Sequence, residues 1–429
     1  MYRFIAAMLA AAFCAGIAQA QTVPVSAGET RMPASAGDPL TLEQALAEAG
    51  AASPVVEVGD AGVRAADAGR TVAGLRPNPS VQVQAENVVG TGSYHGLSSA
   101  ETTASLQLPL ELGGKRSARI AVAESRLTRA QVAAAMMLGD LRLRVTQAYI
   151  AAVAAERRLA VAQAQTEIAD EGLRVARDRV QVGATSPIDE QRADVLRINA
   201  ATALDRARRS VTVARDALAR LTGRPVTGAL DLGWFDRVGG YGPELQARAE
   251  GTLAWAAAKA DLATADAQVR LARSQRVPDI TLSAGARRLA ATNDMAAVFG
   301  VSIPIPLFNN GRAALDQSRA ERAQADAQRR LTLTDAEQAI ASAGAERDNE
   351  AATARAAGGA ALAAAVEAAR IARIGYGQGK FGQLELLEAE RTLAETRGAS
   401  IDALAAYHDA EARLKRLTAP APLYSGDNR

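Results

Sequence analysis

The sequence predicts a mainly α-helical chain with a small β part, built as two copies of one helix–strand–strand–helix–helix unit. Three observations carry this. Aromatic residues make up only 3% of the 429-residue chain while alanine recurs throughout, which suits long, closely packed helices better than an enzyme core. Landmarks in the first half return in the second at matching spacing. Apolar residues then hold a heptad rhythm far longer than an ordinary globular helix needs.

The duplication is read from three pairs of segments. RPNPSVQVQAENV from Arg76 corresponds to RVPDITLSAGARR from Arg276. TTASLQLPLELGGKR from Thr102 corresponds to AVFGVSIPIPLFNNGR from Ala297. VARDRVQVGATSPIDEQRADVL from Val175 corresponds to IARIGYGQGKFGQLELLEAERTL from Ile371. The pairs Pro109 and Pro306, Gly114 and Gly311, Gly183 and Gly379, and Ala193 and Ala389 fall in register. The first unit is placed at residues 40–221 and the second at 244–418.

Within each unit the strands are short and alternate. Val81, Val83 and Ala85 share one face against Gln82, Gln84 and Glu86; Ile280, Leu282 and Ala284 oppose Thr281, Ser283 and Gly285. Strands are expected near residues 80–88, 102–109, 279–287 and 297–304. After Gly114 a helix starts at Lys115 and meets no proline before the turn at 183–187. Its apolar seam steps by four and three through Leu138, Leu141, Val145, Ala152, Ala155, Ala162, Leu173 and Ala176, with Thr166 the one polar member. Such a helix is roughly 100 Å long at 1.5 Å per residue. The seam resumes after the turn from Ala193, and in the second unit from Leu386, beyond a turn at 376–382.

The remaining segments frame these units. Arg3, an apolar run over residues 4–17 and Ala18-Gln19-Ala20 read as a secretory signal peptide over residues 1–20. Residues 21–39 read as a flexible lead-in, residues 222–243 as a Gly- and Pro-containing connecting belt around Trp234, and 419–429 as a tail. The only cysteine, Cys14, falls in the signal, which leaves no thiol for a disulfide or a metal site in the mature chain. No other stretch is apolar enough for a spanning helix, so an exported chain that crosses a bilayer needs a closed β-barrel. Four strands are too few for one; three chains would supply twelve.

The element order, the NPS strand entry at Asn78, the PLELGGKR and PLFNNGR joints and the turns Gly183-x-x-Ser186-x-x-Asp189 and Gly379 to Glu385 resemble the TolC family of outer membrane factors. The run from Ala85 to Leu127 is similar to its CzcC-like heavy-metal efflux branch. The resemblance covers nearly the whole mature chain. It implies a homotrimer in the cell outer membrane, a twelve-stranded barrel continuing into a long periplasmic α-helical barrel, and a passive exit duct fed by an inner-membrane RND-type pump through a periplasmic adaptor. It implies barrel-to-helix joints at Pro109, Gly113, Gly114, Lys115, Pro306, Gly311 and Arg312, with Lys115, Arg116 and Arg312 just below the apolar band. Adaptor-facing tips would be Gly183, Ala184, Thr185, Ser186 and Pro187 in the first unit, and Gly379, Lys380, Phe381 and Gly382 in the second. It implies a pore aperture at Glu385 and Glu388, which share one helix face at i,i+3; Asp189 and Glu190 are weaker equivalents. Glutamate here departs from the family's usual aspartate. Alternatives are the same duct serving drug efflux or type I protein secretion, and a periplasmic coiled-coil adaptor or scaffold without a pore.

Other chemistry finds no support in the sequence. A net charge of +2 argues against nucleic acid as a partner. Gly377, Gly379 and Gly382 match a dinucleotide-binding spacing but follow a helical run, not a strand. GGKR at 113–116 lacks the Ser/Thr of a phosphate loop. His95 and His408 stand far apart, with no nucleophile triad or metal motif, so no catalytic residue, resident metal or cofactor is expected.

Overall fold

The computed structural model describes residues 39–239 and 248–422. The predicted signal peptide and most of the lead-in lie outside these residues, as do 240–247, where the predicted belt meets the second unit, and 423–429 of the tail. In chain order the described elements are α1 (Leu42–Ala52), α2 (Pro54–Ala73), β1 (Ser80–Glu86), β2 (Glu101–Leu110), α3 (Lys115–Gln181), α4 (Pro187–Thr222), α5 (Leu232–Phe235), α6 (Leu253–Ser274), β3 (Ile280–Leu289), β4 (Asp294–Ser302), α7 (Arg312–Ala356), α8 (Leu362–Gly377) and α9 (Gln383–Leu417).

Local chemistry sets the helix starts. Thr41 and Gln44 form a reciprocal capping box on α1. Ser53 and Ser186 cap α2 and α4, each followed by proline at the first helical position, where a missing N–H costs nothing. The strands differ from their predicted limits for equally local reasons. Asn87 adopts φ 58°, which stops β1 at Glu86. Asn293 at φ 61° turns the second hairpin tightly, so β3 runs on to Leu289 and β4 begins at Asp294. β4 ends before Pro304, which has no N–H to donate. The four strands form one antiparallel sheet in the order β1-β2-β3-β4, with Leu106 facing Val81 on one side and Ala284 on the other.

The 67-residue α3 is the spine, and it packs against α2, α4, α6 and α9. Every seam position from Ala134 to Val180 is buried or half-buried. On α4 the seam is only partly covered: Ala193 is buried, whereas Leu196, Ala203 and Ser210 stay exposed. The second unit does not repeat the spine. Its outgoing helix starts at Arg312 and is interrupted by a π-turn at Ala357–Ala361, where Gly359 leaves helical geometry at φ −96°, ψ −109°. Two adjacent glycines, Gly358 and Gly359, remove the side chains that would resist this.

The largest core gathers halfway along α3. Leu141, Val145, Tyr149 and Val153 meet Ala45 and Ala49 of α1, Leu218 of α4, Phe235 of α5 and Ile401 of α9. Tyr149 is fully buried; its hydroxyl donates to the Leu40 carbonyl at 2.8 Å and accepts from the Asp231 N–H at 3.1 Å. Burial pushes the phenol up to about 12, so it stays protonated and a donor. One side chain thus ties the start of the described chain and the belt to the spine. Tyr149→Phe is expected to lower the midpoint of denaturant unfolding with an unchanged slope, a loss of about 1–2 kcal/mol.

Candidate functional site

The sheet is inside out for a protein in water. Its register places Val81 beside Leu106, Leu106 beside Ala284, and Ala284 beside Phe299, with Leu108, Leu282 and Val301 in the next row. These apolar side chains are the exposed ones: Val81 is 74% exposed, Phe299 80% and Val301 66%. The opposite face carries Gln82, Gln84, Glu86, Thr103, Ser105, Gln107, Ser283 and Arg287, and on β2 and β3 these polar positions are the covered ones. A polar face and an opposite apolar face form the alternation of a barrel wall between lipid and an aqueous lumen. On the polar face Arg287 crosses three strands, pairing with Glu101 at 2.7 Å and Glu86 at 3.2 Å and donating to Thr103 Oγ1 at 2.9 Å.

At the first joint Gly113 and Gly114 both take positive φ, 69° and 73°, and Gly114 caps α3. A Cβ at Gly113 would lie 2.7 Å from Val277 Cβ and 2.9 Å from the Ser274 carbonyl, so only glycine lets the two units approach here. Lys115 does not reach away from the joint: its ammonium pairs with Asp279 at 2.7 Å, and the same carboxylate accepts the Leu112 N–H at 3.1 Å. Arg116 likewise turns back onto the Gly74 carbonyl at 2.6 Å, and Arg119 pairs with Glu111 while reaching the Leu75 carbonyl. Lys115 and Arg116, expected just below the apolar band, thus brace the joint from within. Asp279, Glu111 and Arg119 carried no sequence signal of this role. Pro109 lies within β2, opposite Thr281.

The second joint is built differently. Gly311 caps α7 at φ 71°, while Asn309 and Asn310 hold the N–H groups of Gly311 and Arg312, each at 3.1 Å. Arg312 is exposed. Around Pro306, Ile305, Leu307 and Phe308 are 78%, 79% and 102% exposed.

The two tips are the same turn made twice. Gly183 and Gly379 sit at φ 71° and 73° and donate to Val180 and Tyr376; the next residues, Ala184 and Lys380, donate to Arg179 and Gly375. In the first tip the Thr185 hydroxyl bonds Asp189, which also faces Arg192 at 3.7 Å, and Ser186 caps α4 ahead of Pro187. In the second, Phe381 folds over Gly375, where any Cβ would collide with its ring, and Gly382 caps α9. The tips touch. Arg179 donates to the Tyr376 carbonyl at 2.7 Å with its guanidinium 4.2 Å above the Tyr376 ring, and Gln383 donates to the Asp189 carbonyl at 3.2 Å. Glu385 and Glu388 are both exposed and take no ion-pair partner among the described residues, whereas Glu190 is held by Arg177 at 3.1 Å.

An inside-out sheet running into paired long helices defines an outer-membrane channel protein. The sequence profile described as outer membrane efflux protein matches residues 45–224 and 248–419, and the chain belongs to that family. The cobalt-zinc-cadmium resistance protein CzcC of Cupriavidus metallidurans is 32% identical over 391 residues, 90% of this chain and 91% of that protein. The nickel and cobalt resistance protein CnrC of the same organism is 33% identical over 68% of this chain and 69% of its own length. The fold matches a crystal structure of the transmembrane channel CusC with a TM-score of 0.74 at 18% identity, over 91% of this chain and 96% of that one. The relatives are channel and efflux proteins, not enzymes.

The joint brace carries a pH signature. Burial would raise the Asp279 carboxyl, but the Lys115 ammonium and the Leu112 N–H outweigh it and hold the group below its ordinary value. A carboxylate depressed in the folded state stabilises above the ordinary aspartate range and loses that contribution as pH falls through its folded value. Asp279→Asn should therefore lower the thermal midpoint at pH 7, and the gap to the parent protein should close below about pH 4.

Proposed function

We propose that this chain is the exit duct of a tripartite export system for divalent transition-metal cations, working as a homotrimer. Members of the family form trimers and work with periplasmic adaptors and inner-membrane pumps. The observation that carries the reading is the four-stranded inside-out sheet with two unpaired edges, β1 and β4, continuous with α3. Outer-membrane barrels begin at about eight strands, so copies of this sheet must join edge to edge, and three give twelve. Metal as cargo is supported by the cobalt, zinc and cadmium named for CzcC and the nickel and cobalt named for CnrC.

The tips at 183–187 and 379–382 are the proposed docking surface for the adaptor, and Glu385 and Glu388 the proposed aperture. Both glutamates are exposed on the first turns of α9 and form no salt bridge among the described residues, although Arg391 lies near enough to Glu388 to feel its charge, so their carboxylates are open to ions in transit. Three chains would bring six such carboxylates to the narrow end. In planar bilayers the paired substitution Glu385→Gln with Glu388→Gln should alter single-channel conductance and weaken block by Zn²⁺. Asp189→Asn should do less, because Thr185 and Arg192 already engage that carboxylate. Parent-level zinc block in the double variant would remove the aperture role from both glutamates.

A further inference from the structure

The stretch IPIPLFNNGR, residues 303–312, carries the chain from β4 into α7, and every residue from 301 to 310 is exposed. Its counterpart in the first unit is closed by an ion pair. With Pro306 in register with Pro109, Phe308 stands where the first unit has Glu111, and Asp316 where it has Arg119. Glu111 and Arg119 pair with each other, whereas Asp316 is taken by Arg319 at 3.1 Å and Phe308 is left wholly uncovered. Polarity then changes in steps along the stretch. Ile303, Ile305, Leu307 and Phe308 are apolar, Asn309 and Asn310 are neutral amides, and Arg312 is an exposed cation with no carboxylate partner among the described residues. A second guanidinium joins it there: Arg276 is exposed and donates from Nε to the Asn310 carbonyl at 3.4 Å. The apolar half is also poor in backbone donors. Pro304 and Pro306 have no N–H, and the Leu307 N–H is bonded to the Ile305 carbonyl at 3.0 Å.

We propose that residues 303–312 are a membrane-interface anchor: Ile305, Leu307 and Phe308 lie among lipid chains, and Arg312 and Arg276 bind phospholipid phosphates. Lipid is selected over a second copy of this chain by position, by backbone and by charge. Ile303 and Ile305 follow Phe299 and Val301 at two-residue spacing, so they continue the face of the sheet that meets lipid. A further copy joined to β4 adds in the plane of the sheet and leaves that face free. Pro304 and Pro306 also withhold the N–H groups that a strand pairing with this stretch would need, and a missing donor carries no penalty in hydrocarbon. The order apolar, amide, cation is that of the boundary between lipid chains, headgroups and water. Guanidiniums beside an apolar surface complement phosphate. The first joint lacks this property, because Lys115 and Arg119 are already engaged by Asp279 and Glu111. The anchor therefore belongs to the second unit alone. It rests on the placement of the sheet in the outer membrane and is independent of the cargo.

Site-directed spin labelling separates the outcomes. Cys14 is the only native cysteine, so full-length protein with Cys14→Ser and Phe308→Cys carries one nitroxide. It is reconstituted in vesicles of phosphatidylcholine and phosphatidylglycerol. Collision with oxygen reports lipid, and collision with a water-soluble nickel chelate reports water. Labels at Val301 on β4 and Val213 on α4, both exposed, are the lipid and water references. The 308 label should match Val301, with an oxygen-to-nickel ratio several-fold above that at Val213, and Ile305→Cys should behave likewise. Arg312→Gln with Arg276→Gln should lower the retention of spin-labelled phosphatidylglycerol to that of phosphatidylcholine. Nickel-accessible labels at 305 and 308 beside a lipid-exposed Val301 would overturn the anchor and leave the barrel wall standing. Labels sheltered from both reagents would overturn it too, and assign the stretch to a contact with another copy. An aqueous Val301 would overturn the wall and the anchor together. Undiminished phosphatidylglycerol retention in the double arginine variant would remove the phosphate contacts.

Discussion

A backbone in hydrocarbon has no water to bond, so every N–H and C=O at that depth must find a protein partner. That requirement governs this chain. β2 and β3 are paired on both sides, and β1 and β4 on one side only. One face of the sheet offers valine, leucine and phenylalanine, and the opposite face carries glutamine, threonine and Arg287. Neither face can be exchanged for the other, because a one-residue slip in register would turn every side chain over. The polarity and the open edges therefore favour one completion, in which further strands continue the same wall until it closes.

The helices inherit the wall's geometry through the glycine joints and then need a different kind of packing. Alanine suits this: it loses no side-chain entropy in a helix and lets axes approach closely. Large side chains are concentrated instead where the belt crosses the spine, around Tyr149, Trp234, Phe235, Tyr407 and His408. The low aromatic content of the chain reflects this division. Small residues pack the length of the helical pairs, and one aromatic knot holds Leu40 before α1, the belt and α9 to the spine.

What was legible in the sequence was whatever repeats. Heptads over Ala134 to Val180, alternation in VQVQAE and ITLSAGA, and glycines at 114, 183, 311 and 379 each leave a periodic or duplicated trace. Contacts made once leave none. Asp279 is 164 positions from Lys115, and Arg179 is 197 from Tyr376, yet each pair touches. The π-turn at 357–361 was hidden because Gly358 and Gly359 sit in an alanine-rich run that reads as continuous helix. The burial of His408 was invisible for a related reason: its aromatic surroundings are assembled from α5 and α9, more than 170 residues apart.

The two copies differ most where their surroundings differ. At the first joint, the neighbour of β2 is β3 of the same chain, and evolution of the pair could place Asp279 against Lys115 and leave room only for Gly113 against Val277. At the second joint β4 has no neighbour on its outer side, and the equivalent place holds neutral Asn309 and Asn310, an exposed Arg312 and an uncovered Ile305, Leu307 and Phe308. Three large apolar side chains fully in water would be a standing liability for a lone chain. They are ordinary where lipid covers them. The tips differ as well: Asp189 and Glu190 are tied up by Thr185, Arg192 and Arg177 within the first hairpin, while Glu385 and Glu388 form no salt bridge among the described residues. At the joints, the copy whose neighbour is its own chain has internal partners, and the copy at the open sheet edge leaves its large apolar side chains uncovered.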